Sequence, residues 1–269
     1  MNAEVALSND QIRQIAPSVF AGRPVEKVSR RYSFLPTASI LEGMRAAGWL
    51  PVQVTQKPAR AEWRVGYQKH LLHFAHADGR PSQEVRPQIL ITNSHDGLAG
   101  YTVRAGLYRF VCMNGLVVGE QLIEPIHIRH THFEPSKVIE ASLRIAGQMP
   151  RLTEEVESFR GRELSAEEAE ALAKGAHALR WKSVAGPVPP LRLLDIRRSE
   201  DAPHSLWCML NRIQEHLLKG GQVNYRADGR RVRTRAIRSI DENVRINAGL
   251  WALAVLVRDR QLPDLALPA

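Results

Sequence analysis

Residues 86–120, RPQILITNSHDGLAGYTVRAGLYRFVCMNGLVVGE, constrain the fold of this chain more than any other stretch. Residues 88–92 read as a short strand, and Asp96-Gly97 behind them is a turn pair. Tyr101, Val103, Ala105 and Leu107 then alternate with Thr102, Arg104, Gly106 and Tyr108. That period of two belongs to a strand with one buried face. Residues 109–113 continue it, and Asn114-Gly115 suits a type I′ reversal before residues 116–118. The expectation is an antiparallel meander with a loop at residues 93–97 and a later reversal at Asn114-Gly115.

The polar side chains of this meander, Asn93, His95, Asp96, Arg109 and Asn114, make one candidate polar site. His95 beside Asp96 supplies the groups for general-base chemistry or metal ligation. The same residues also suit a plain turn, with Asn93 and Asp96 bonding their own backbone and His95 facing water.

Upstream, residues 1–36 read as an irregular arm made basic by Arg23, Lys27, Arg30 and Arg31. Thr37 is placed as the N-cap of a helix with Ile40, Leu41 and Met44 inside, ended by Gly48. Residues 49–55 follow as a strand, and Pro51 assigns it to a sheet edge. Residues 63–77 read as one long strand with His70, Leu72, Phe74 and His76 on one face and His73 on the other. At about 3.3 Å per residue, His70 and His76 stand roughly 20 Å apart and cannot share a metal. In residues 126–133 the pair His130 and His132 point the same way on a strand. That spacing fits metal ligation, but partly exposed histidines on a sheet edge or in a phosphate-contacting patch fit it better.

The remainder reads as helical. Ser136 is placed as a cap, with Val138, Ile139 and Leu143 inside and Pro150 stopping or kinking the helix. Leu152, Val156 and Phe159 keep helical spacing, and Ser165 with Glu168 forms a capping box. Glutamates gather here, so the basic surface lies elsewhere. Residues 183–204, with Pro187, Pro189, Pro190 and Pro203, read as a connector between a core of residues 37–182 and a C-terminal section of residues 205–269. In that section Ser205 caps a helix closed by Gly220-Gly221, a hairpin turns at Asp228-Gly229, and a last helix begins near Asp241. Arg231, Arg233 and Arg235 share a face of the hairpin's second strand, near Arg226, Arg230 and Arg238. Tyr225 adds an aromatic stacker, which makes this the candidate nucleic-acid site.

A chain of 269 residues holds one large domain or two modest ones. Its net charge of +9 and pI near 10 favour an acidic partner, DNA before RNA, or else serve solubility alone. Two separated cysteines, Cys112 and Cys208, make neither a disulfide framework nor a thiolate zinc site, which fits a cytoplasmic setting. The polar start MNAEVALSND is unlike a signal peptide, and the best apolar run, residues 250–257, is far below the ~18 residues of a membrane span. No P-loop, helix-turn-helix or zinc-finger spacing is present.

Several pieces stand in a recognisable order: Gly48-Trp49, Tyr67-Gln68-Lys69-His70, PQILITNSHDG from Pro87, RFVCMNG from Arg109, Arg129-His130-Thr131-His132, and LWCMLNRIQEHLLKGG through to NAGLW at Trp251. On these the chain resembles an uncharacterised family of phage- and plasmid-like proteins, a domain of unknown function found on plasmids, phages and integrated elements. The resemblance implies a role in mobile-element biology and brings no catalytic residues with it.

The expected architecture is α+β, an antiparallel sheet with helices on one face and a mainly helical C-terminal section carrying the basic hairpin. The expected function is non-catalytic binding of nucleic acid, as in strand binding or annealing, without a cofactor, with a second copy of the chain as a further partner. Two alternatives stand beside it. One is an interaction protein that disables a host defence. The other is a metal-dependent hydrolase or nuclease, since seven of the ten histidines lie in residues 70–132 and a divalent metal would serve it.

Overall fold

The structure, a computed structural model, describes residues 6–29, 31–78, 84–110, 114–119, 122–130, 134–181, 186–225 and 229–261. Arg30, Cys112, Arg226, Asp228 and His132 lie outside them, as do residues 111–113 at the reversal read from Asn114-Gly115. The fold is α+β, and the chain divides into two compact units: Met1–Leu116 with Ile123–Met149, and Val117–Leu122 with Pro150–Ala269.

The first unit is built on the meander. Its strands are β1 (Trp49–Gln56), β2 (His70–His76), β3 (Val85–Asn93), β4 (Tyr101–Arg109), β5 (Asn114–Val117) and β6 (Ile126–Ile128). They are hydrogen-bonded in the order β1-β2-β3-β4-β5, and β6 also pairs with β4. Register aligns Leu72 with Ile91 and Ile91 with Val103, and likewise Phe74 with Ile89 and Ile89 with Ala105. These six side chains are buried on one face. Burying each large one is worth about 1.5–3 kcal/mol, so this face anchors the unit. Helices α2 (Thr37–Ala46) and α3 (Pro135–Ala146) supply Ile40, Leu41, Met44, Val138 and Ile145 to the core. On the opposite face His73 Nδ1 lies 3.0 Å from Gln88 Oε1. Strand β1 takes the sheet edge that Pro51 demanded, and its register slips between Pro51 and Gln53.

Several local expectations are corrected. Residues 9–20 are not irregular. Ser8 and Gln11 form a capping box for α1 (Asn9–Ile15), a 3-10 turn follows at Pro17–Phe20, and Ile12, Ala16 and Val19 are fully buried. Residues 63–77 are not one strand. A 3-10 turn at Glu62–Arg64 precedes Gly66 at φ +87°, whose N–H donates to Gln68 Oε1 at 2.7 Å, so β2 begins only at His70. Ser136 is not the cap of α3; Glu134 is, because Pro135 occupies the first helical turn. Leu143 is 49% exposed, and Ala141 and Ser142 lie inside instead. Pro150 stops nothing. It sits in the first turn of α4 (Met149–Gly161), where its missing N–H costs no bond.

The second unit is mainly helical: α4, α5 (Ala166–Arg180), α6 (Leu206–Lys219) and α7 (Ile240–Arg258), with the hairpin β7 (Val223–Tyr225) and β8 (Arg231–Arg233). The Ser165–Glu168 capping box starts α5, as its spacing required. Ser205 caps α6 by accepting from the Cys208 N–H, and α6 is buried on every side from Leu206 to Leu218. Its polar face is therefore bonded inward. The Arg212 guanidinium donates to the carbonyls of Asp201, Ala202 and Pro203, and Gln214 donates to Asn247 at 2.8 Å. Phe159 meets Trp251 with ring centres 5.2 Å apart. The proline-rich residues bury Val188 and Leu193 in this unit. No helix among the described residues is long and apolar enough to cross a membrane.

Candidate functional site

In the first unit the core-facing row of the sheet ends in polar residues. His70 pairs in register with Asn93, and the β3–β4 register brings Tyr101 beside Asn93. All three face the helix layer, and Thr37, in the first turn of α2, meets them. Its Oγ1 lies 2.9 Å from His70 Nε2, 3.0 Å from Asn93 Nδ2, 3.1 Å from Tyr101 OH and 3.1 Å from His95 Nε2. His130 Nε2 joins at 2.8 Å from Asn93 Oδ1, and Ser18 Oγ lies 2.8 Å from His70 Nδ1. Thr37 is thus no N-cap. Pro36 holds that position, and the threonine hydroxyl serves imidazoles from strands and loops.

Proton accounting assigns this cluster. His70 Nδ1 also lies 3.0 Å from the Gln68 carbonyl, which only accepts, so Nδ1 carries the proton and Nε2 the lone pair. The Thr37 hydroxyl therefore donates its one proton to His70 Nε2. Its own lone pairs then accept from Asn93 Nδ2 and His95 Nε2, while Tyr101 donates to the Leu35 carbonyl at 3.2 Å. His95 is left with a bare Nδ1 that is buried and has no partner. The two neighbouring imidazoles are opposite tautomers.

Burial sets the charge state. It pulls the His70 pKa down to about 4, against the Gln68 carbonyl and the Asp96 charge, which push it back up. His95 falls to about 3, first by burial and then by the neighbouring His70 and His130. Burial also lowers His130 and raises Tyr101, and it lifts Tyr32, whose ring stacks on His130 at 4.5 Å, to about 12. His70 and His95 are 0% exposed, so neither has the access or the pKa for acid–base work at neutral pH.

The other members of the expected polar site part company. Asp96 does turn chemistry, its Oδ1 accepting from Ser94 Oγ at 2.7 Å and the Leu98 N–H at 3.1 Å, with Gly97 at φ +77°. His95 does not face water as the plain-turn reading had it. Arg109 lies at the far end of β4, about 26 Å from Tyr101 along the strand, paired with Glu84. Asn114 opens β5, beyond Arg109. Among the described residues no three or more of His, Cys, Asp and Glu are disposed to hold a metal ion. The sequence reading missed Thr37, Ser18, Gln68 and Tyr101 as partners. The available signal was that His70, Asn93 and Tyr101 all fall in the core-facing phase of their strands.

In the second unit the arginine hairpin forms. Tyr225 pairs with Arg231 and Val223 with Arg233, and the ladder runs on through Gln222 and Thr234. Arg230, Arg231, Arg233, Arg235 and Arg238 are exposed. Lys219, Arg233, Arg235 and Arg238 line an open concavity of about 800 Å³ together with Gly221. The guanidinium of Arg197 and that of Arg233 each come within 3.9 Å of where a side chain on Gly221 would begin. Like charges thus flank a glycine whose lack of Cβ leaves the space between them open.

Several neighbouring cations are neutralised. Arg192 pairs with Asp195 at 2.7 Å, Arg198 with Glu215 at 2.9 Å, Lys219 with Glu215 at 3.3 Å and Arg245 with Glu242 at 2.6 Å. The glutamates of α4 and α5 pair with Arg160, Arg162, Lys174 and Arg258. Among the described residues none of these carboxylates reaches Arg231, Arg233, Arg235 or Arg238.

Fold and sites together define a mixed α+β protein with a neutral imidazole–hydroxyl cluster in one unit and, in the other, an arginine face uncompensated among the described residues. Residues 24–251 match the family described as "Domain of unknown function (DUF932)", and the chain belongs to that family. It is 35% identical over 248 residues to UPF0380 protein YafZ and, equally, to UPF0380 protein YfjQ, both of Escherichia coli strain K12; each match covers 92% of this chain and 90% of the relative. No solved structure matches it.

Proposed function

We propose that this protein binds nucleic acid through the arginine face of its second unit, as a non-catalytic component of a mobile element. One observation carries the reading: among the described residues Arg231, Arg233, Arg235 and Arg238 have no acidic partner, whereas Arg192, Arg198, Lys219, Arg245 and Arg258 do. Uncompensated guanidiniums around a concavity focus a positive field and suit phosphate, which they bind in pairs of parallel hydrogen bonds. The net charge of +9 acts in the same direction at long range. The assignment to mobile elements rests on the likeness of the chain's motifs to phage- and plasmid-borne proteins.

Fluorescence anisotropy with a labelled oligonucleotide across a salt series tests it. The logarithm of affinity is expected to fall linearly with the logarithm of salt, by roughly 0.7–0.9 per phosphate contacted. Arg233→Ala with Arg235→Ala lowers that slope by roughly 1.4–1.8. An affinity flat across the series removes the proposal.

A further inference from the structure

Tyr225 gives the arginine face a second chemistry. Its side chain is 65% exposed at the end of β7. Among the described residues it has no ring, cation or hydrogen-bond partner. The hairpin register sets it directly across from Arg231, so both project from the same face. Arg233 lies on that face two residues further along, about 6.6 Å away. It also lines the concavity, where Arg235 and Arg238 continue the charge. One continuous surface therefore presents a bare aromatic ring, then guanidiniums. A concavity of about 800 Å³ is of the size that holds a small ligand, on the scale of a nucleotide or two.

We infer that the strand held by this face is unpaired, with a base stacked on Tyr225 and the flanking phosphates on Arg231 and Arg233. The inference rests on the nucleic-acid reading above and deepens it. In a duplex both faces of each base are covered by neighbours, so an aromatic ring gains nothing there unless it intercalates. In a single strand every base has a free π-face, and stacking on an aromatic is tolerant of sequence. The phosphodiester and the base face are common to DNA and RNA.

Anisotropy on the full chain at one moderate salt concentration tests the inference with four labelled probes of equal length: oligo(dA), oligo(rA), the dA·dT duplex, and an abasic strand that keeps the phosphates and lacks the bases. Oligo(dA) or oligo(rA) is expected to bind at least about tenfold tighter than the duplex and the abasic strand, and the preferred sugar identifies the natural strand. Tyr225→Ala loses about tenfold on the base-bearing strand and nothing on the abasic one, while Tyr225→Phe keeps the affinity. A residue 65% exposed is replaced without unfolding the chain, and circular dichroism verifies this. Duplex bound as tightly as single strand, or a Tyr225→Ala loss equal on both strands, overturns the inference. Equal salt-dependent binding to all four probes leaves the phosphate reading standing and removes this one. Binding to none removes both.

Discussion

Thr37 has one proton to give and two lone pairs to offer, and His70, Asn93 and His95 draw on them. Thr37→Val keeps the shape and deletes the hydroxyl, leaving His70 Nε2, Asn93 Nδ2 and His95 Nε2 buried and unsatisfied. Each unsatisfied group costs about 1–3 kcal/mol, so a loss of about 3 kcal/mol or more is expected in urea unfolding, while Thr37→Ser loses about 1. Nitrogen-15 NMR is expected to find His70 protonated at Nδ1 and His95 at Nε2; the same tautomer in both rings would refute the assignment. The cluster was half legible at this scale. His70 was read on one strand face with Leu72 and Phe74, whereas Asn93 was assigned to the loop at residues 93–97. Thr37 did not stand out, because a threonine at a helix start bonds its own backbone far more often than a side chain 56 residues away.

Several elements written in local chemistry were read correctly, though the Thr37 and Ser136 caps were not. The Ser165–Glu168 box, the Ser205 cap, the Pro51 edge and the glycines closing α2 and α6 each depend on neighbours within a few residues. Where several local preferences compete, as in residues 63–77, the strand pattern held only from His70. Gly220 shows what an element junction demands. It closes α6 at φ +61°, and a Cβ there would stand 2.7 Å from Thr234 O and from Arg235 C and O. Gly220→Ala is expected to cost more than about 2 kcal/mol from strain alone and to weaken oligonucleotide binding although no charge is removed. Paired urea-unfolding and anisotropy measurements check this. Full binding by a folded Gly220→Ala protein would show that the hairpin's seat on α6 is irrelevant to the arginine face.

At the scale of the molecule, two units with separate cores predict acid sensitivity concentrated in the first. His70 and His95 sit near 4 and 3 when folded and near 6.5 when unfolded. The unfolded state therefore takes up protons first. Stability from these groups is complete above about pH 6.5 and is lost as pH falls towards the folded values. At pH 5 the loss is on the order of 4 kcal/mol. His177 and His216 push the second unit the same way. Hydrogen exchange of the β2–β4 amides, corrected for intrinsic rates, is expected to show this drop between pH 7 and pH 5. Unchanged protection would mean that the histidines are not held neutral.

By itself the sequence determined the α+β class, the meander, most of the caps and the basic hairpin, because period, turn chemistry and charge density act over a few residues. Tertiary structure alone decided which polar groups meet. His70, Asn93 and Tyr101 come together through strand register, and Thr37 reaches them only when α2 packs on the sheet. It also decided which arginines stay uncompensated, since ion pairing depends on distances that folding sets between residues far apart in the chain. Local interactions are encoded where they act; burial and partnership exist only once the chain has closed on itself.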